Sequence, residues 1–88
     1  MKVYLVHNEY YDHEEYTNGS VLLGIFSSME RAIEGREKSI ASDLEECTNM
    51  GTTTSTSMDS DNNPIISIFS DGKLSAEYVF TIEEWTVK

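Results

Sequence analysis

The 88-residue sequence lacks most of the features that assign a class at a glance. It has one cysteine, Cys47. No disulfide can therefore form within the chain, and the fold does not depend on an oxidising compartment. It has only six Lys and Arg against sixteen Asp and Glu, a net charge of −10. That balance strongly disfavours binding to nucleic acid or to an anionic membrane through a basic face, because phosphate contacts are made largely by Lys and Arg. No apolar run reaches the length of a membrane span. The residues after Lys2, "VYLV", are too short for a signal-peptide core, so a cytoplasmic location (in a host cell) is expected. One proline, Pro64, leaves few forced breaks. There is no HExxH, no C-x-x-C, no G-x-S-x-G and no phosphate-binding glycine loop. A length of 88 residues is that of one domain, 1–88.

What is present reads as alternating elements. "KVYLVHNEY" is rich in β-branched and aromatic residues and predicts a strand over about 2–10. "SVLLGIFS" predicts a second over about 20–27; its nearly continuous apolar run suits a central strand covered on both faces. Asn18 and Gly19 are a strong turn signal between them, closing a long polar connection. Ser27 followed by Glu30 fits a capping box, predicting a helix over about 28–46. Met29, Ile33, Ile40, Leu44 and Cys47, with Ala32 and Ala41, mark its apolar face. Gly35 inside it lowers helix stability by about 1 kcal/mol, which a closely passing strand would explain. Residues 48–63 are Thr, Ser, Asn and Asp with little to bury, and predict a flexible loop. "IISIFS" and "KLSAEYVFTIEEWTVK" flank Asp71 and Gly72, a type I′ hairpin signal. That turn would set Phe69 opposite Leu74, Ser67 opposite Ala76 and Ile65 opposite Tyr78. Beyond Ile82 the apolar positions slip to Trp85 and Val87, which predicts a bulge near Glu83 and Glu84. The expected fold is α+β: a four-stranded, mostly antiparallel sheet with one helix on one face, in the order β-β-α-loop-β-β.

Charge is unevenly placed. Residues 30–38 are neutral, with Glu34 and Lys38 at helix-pair spacing. The acids gather instead in the first hairpin, at the helix end, in the Thr/Ser segment and near the C-terminus. His7, His13 and their carboxylate neighbours match no metal-ligand spacing, and in an extended strand the two histidines lie about 20 Å apart. Asp59, Asp61 and Asn63 start like a calcium loop but lack its glycine and closing glutamate. Cys47 on an apolar helical face behaves as a small hydrophobe rather than a nucleophile. No metal, no cofactor and no catalytic residue is therefore expected. Tyr11 and Tyr16, with Glu9, Asp12, Glu14 and Glu15, form a candidate partner-facing surface, and Asp43, Glu45 and Glu46 a second. The same hairpin residues also suit an ordinary solvated loop with aromatic cross-strand pairs.

Val3, Tyr4 and Val6, then Gly24, Phe26, Ser27, Ser28, Glu30 and Ala32, spell V-Y-x-V and G-x-F/Y-S-S-x-E-x-A. Over about the first 40 residues this resembles a small β-β-α family of bacterial and phage proteins. The resemblance implies a strand passing directly into a helix; it implies no activity. Together these readings lead to a non-catalytic acidic binding protein, of phage origin. It would inhibit a basic or nucleic-acid-binding host protein, such as a defence nuclease, by occupying a groove built for phosphates. The alternative is a homo-oligomeric module sequestering a nucleotide signal, and a third is a structural or regulatory interaction domain. The expected partner is a basic protein, with no direct nucleic-acid or membrane binding and a possible homodimer.

Overall fold

The computed structural model of the chain describes residues 1–87. It is α+β, with β1 (Lys2–Asp12), β2 (Thr17–Phe26), α1 (Met29–Asn49), β3 (Thr53–Met58), β4 (Pro64–Ser70) and β5 (Lys73–Thr86). All strand pairs are antiparallel, in one five-stranded sheet of order β2-β1-β5-β4-β3.

The expected four strands are corrected to five because part of the Thr/Ser segment, 53–58, is a strand rather than a loop. It carries no apolar alternation, since all six residues are exposed. What favours it is the β-branching of Thr53, Thr54 and Thr56 and the ready-made edge of β4 beside it. Asp59 then closes the β3–β4 turn, its carboxylate accepting from the backbone N–H groups of Asp61 (2.9 Å) and Asn63 (2.8 Å) and from Asn63 Nδ2 (3.1 Å). The calcium-like spacing is thus the spacing of a turn brace.

The second correction concerns β2, which lies at a sheet edge rather than in the centre, with Val21, Leu22, Leu23 and Ile25 all exposed. The β1–β2 connection is also tighter than expected. Asn18 and Gly19 pair with Tyr11 and Tyr10 inside the ladder, and the turn falls on 13–16. Asp12 holds that turn by accepting from the N–H groups of Glu14 and Glu15, and Tyr16 takes its left-handed position at φ 55°.

The hairpin turn at Asp71 and Gly72 has φ of 51° and 77°, as type I′ requires. Phe69 faces Leu74 as expected, but Ile68 faces Ala76 and Ile66 faces Tyr78, one residue from the predicted register. Ser75 is the extra residue, and its carbonyl accepts from His13 N–H at 2.8 Å. No bulge lies near Glu83 and Glu84: β1 and β5 pair without a shift from Lys2–Thr86 to Asp12–Ala76. The apolar slip there is a change of face. Trp85 pairs with Val3 on the side of the sheet away from the helix, so the predicted bulge was an open apolar face misread.

The helix caps on Ser28, whose hydroxyl accepts from Arg31 N–H at 3.2 Å, and not on Ser27. Glu30 is then one position short of the expected capping box. Because α1 joins edge strand β2 to edge strand β3, it crosses the whole sheet. Near its start, Gly35 lies on the Phe26 ring of β2. Toward its end, Cys47 is buried against Ile66, Ile68 and Phe80, with Ile40 and Leu44 beside it. Phe80, Ile66 and Val6 are the largest fully buried side chains.

Candidate functional site

The crossing of α1 fixes where the sheet stays uncovered on its own helix side. Moving from β2 toward β4, the helix leaves the turn end of β1 and β2 bare. A cleft of about 340 Å³ opens there, lined by Asn8, Tyr10, Tyr11 and Asp12 of β1, Val21 of β2, Asp43 of α1, and Ala76 and Tyr78 of β5. Alternation along β1 sends Asn8, Tyr10 and Asp12 to this side. Tyr10 pairs directly with Tyr78, so their two rings are neighbours on one face. Gly19 opposite Tyr10 makes room for that ring: a Cβ there would lie 2.6 Å from the Tyr10 hydroxyl.

The cleft is acidic, and none of its lining residues is basic. Burial pushes the Asp43 carboxyl above its ordinary value, and Glu46 adds to the effect. Burial likewise pushes the Tyr78 phenol up, followed by the negative fields of Asp43, Cys47, Glu46 and Asp12. Asp12 and Asp43, far apart in sequence, therefore act on one tyrosine. A polar group on the same wall is unmatched: Asn8 Oδ1 is shut off from solvent and accepts no hydrogen bond.

Of the residues singled out from sequence, the fold brings together Tyr11, Asp12 and Asp43 in the cleft, with Glu46 within electrostatic reach. Glu14, Glu15 and Tyr16 stand in the exposed turn beside it, Tyr16 at 92 % exposure. Glu9 points to the other face, over a hollow shared with Tyr11, Asn18 and Ser20. Glu45 is exposed on α1 and lines no part of the cleft. Sequence reasoning passed over Asn8, Tyr10 and Tyr78, although the alternation Asn8, Tyr10, Asp12 was there to be followed.

The histidines are separately engaged on the far face. His13 Nε2 lies 2.9 Å from Glu77 Oε1. His7 Nε2 lies 3.4 Å from Glu83 Oε2 but is not aligned for a hydrogen bond. Among the described residues, no three His, Cys, Asp or Glu side chains converge as a metal cage, and no helix is long and apolar enough to cross a membrane.

The whole chain, residues 1–88, matches a family described as a domain of unknown function, DUF7336. The chain belongs to that family. No curated protein and no solved structure matches it. The family description names no chemistry, so the cleft and its surroundings are what this DUF7336 chain offers for a functional reading.

Proposed function

We propose that this DUF7336 chain is a non-catalytic acidic binding protein. In this reading it inhibits a basic or nucleic-acid-binding protein, a phage product acting on a host defence nuclease being the case that fits the sequence. One observation carries the proposal. Two acidic segments separated by a strand and most of a helix, around Asp12 to Glu15 and around Asp43 to Glu46, meet at one end of the molecule about Tyr10 and Tyr78. Carboxylates mounted on a rigid sheet and helix, with tyrosines between them, suit a basic groove in both field and contact. The test is binding to a purified basic partner over a salt series: affinity falls steeply with salt, and salt-independent binding refutes the reading.

The nucleotide-module alternative has weaker support. Arg31 and Lys38 border a hollow of about 530 Å³, but Glu34 shares it and lies 3.4 Å from Lys38 Nζ. A homodimer is the second partner reading we propose. β2 has no charged residue and exposes four aliphatic side chains at a sheet edge, and such an edge pairs readily with another strand.

A further inference from the structure

We propose that β2 pairs antiparallel with β2 of a second copy of this chain, so that each acidic turn at 13–16 lies against the start of the other copy's α1. The inference rests on the homodimer reading given above and not on the basic-partner reading. It adds the direction of the contact and the charges that set it.

The occupant follows from where charge is missing. Residues 17–29 carry no charged side chain, and 30–42 balance three acids with three bases. The remaining thirteen acids and three bases carry the whole −10. Two copies repel each other elsewhere, and β2 with the helix start is where they meet without that repulsion. A basic protein is steered to the acidic end instead. The edge also has what a pairing strand needs. Its outer side has no neighbouring strand, and Val21, Leu22, Leu23 and Ile25 are exposed along it. The other edge, β3, is only six residues of Thr, Ser and one Met. Pairing β2 with a second copy's β3 would leave a free edge at each end and add copies without limit.

Charge also sets the direction. A parallel β2 pair would bring the two turns side by side, setting Glu14 and Glu15 of one copy against those of the other. An antiparallel pair separates them. The bulge at Leu23 interrupts the edge, so the regular ladder runs over Thr17–Leu22. Continued past its end, that register sets Glu14 opposite the second copy's Ile25 and Glu15 opposite its Gly24. β2 ends at Phe26 and α1 begins at Met29, so the first helical turn stands close by. Arg31 in that turn is exposed and forms no ion pair among the described residues. Glu14 and Glu15 are exposed as well, and only their backbone N–H groups are engaged, by Asp12. Carboxylates beside a helix N-terminus and a free guanidinium are favourable on both counts. The two-fold axis makes the contact twice and leaves both helices on one face of a continuous sheet.

The test is sedimentation of the full chain at fixed ionic strength, up to about 1 mM. A reversible dimer is expected, and Ile25→Lys should abolish it. Arg31→Glu should raise Kd by about tenfold or more, because each contact is made twice. That substitution also completes a capping box with Ser28, so a lost dimer there is not a lost fold. Glu14→Lys/Glu15→Lys should weaken the dimer similarly, although it makes the chain less acidic and would favour any other self-contact. Combining the three substitutions should return Kd to within about threefold of the original. Lys73→Glu changes net charge as Arg31→Glu does, but beside the β4–β5 turn, and should shift Kd by no more than about twofold.

A monomer at every concentration, or a dimer indifferent to Ile25→Lys, overturns the inference together with the homodimer reading. A dimer that Ile25→Lys dissociates but the charge reversals leave unchanged overturns the inference alone. So does a combined variant that recovers nothing. Both of these leave the edge dimer standing.

Discussion

Substituting Gly35 by alanine sets two effects of similar size against each other. In an ordinary exposed helix the change gains about 1 kcal/mol, because glycine loses more backbone freedom on folding. Here a Cβ at Gly35 would meet the Phe26 ring, with Cε1 and Cε2 at 3.0 and 3.1 Å and Cζ closer still. The ring is also packed close against the backbone of Gly24, where an added Cβ would lie 2.8 Å from Cε2, so it has little room to move away. Forcing a methyl group into such a contact costs roughly 1–3 kcal/mol. The clash should win, leaving Gly35→Ala about 1 kcal/mol less stable, which lowers Tm by about 4–8 °C for a domain of this size.

Urea or thermal unfolding measures this, and a double-mutant cycle isolates its cause. In a Phe26→Leu background the ring atoms are gone, and Gly35→Ala should stabilise by about 1 kcal/mol, a coupling of roughly 2 kcal/mol between the two sites. Stabilisation by Gly35→Ala in the unaltered chain would refute the account of how the helix start seats on β2.

Asp43→Asn should raise stability at neutral pH. The raised carboxyl value means the folded protein holds that proton more tightly than the unfolded chain. Its stability cost is therefore absent below the ordinary value of 3.8, builds up between that value and the raised folded one, and is fully present above it. Unfolding curves of the two proteins should thus converge in acid and separate above it. Phe80→Ala empties a fully buried site and should cost about 3–5 kcal/mol in chemical denaturation. Amide exchange across 53–58 should show alternate residues protected, as an edge strand bonded on one side requires; uniformly fast exchange would return the segment to a loop. If β2 mediates a homodimer, sedimentation should show dimers that Ile25→Lys converts to monomers, since this exposed residue lies on the pairing edge.

The α+β class, the helix and the β4–β5 turn were legible because each has a local cause: periodicity, a serine cap and an Asp-Gly dipeptide. β3 was not, because its signal is β-branching on an uncharged edge, and apolar alternation is silent there. β2 misled in the opposite direction. An apolar run implies a cover on both faces, yet nothing among the described residues lies over the face bearing Leu5, Leu22, Ile25 and Trp85. The bulges at Leu23 and Ser75 replace no glycine and leave no mark in composition. The acids of the candidate site were legible one by one. That Asp12 and Asp43 share a tyrosine was not, because their meeting depends on a helix crossing from one sheet edge to the other.

The central claim, that the acidic turn end docks on a basic protein, is tested most directly by capture from a bacterial host lysate. The protein and its Asp12→Asn/Glu14→Gln/Glu15→Gln/Asp43→Asn/Glu46→Gln variant are compared at low and high salt. The account predicts a basic protein retained by the first at low salt, released at high salt and not retained by the variant. Retention of the same protein by both, at either salt concentration, would contradict it.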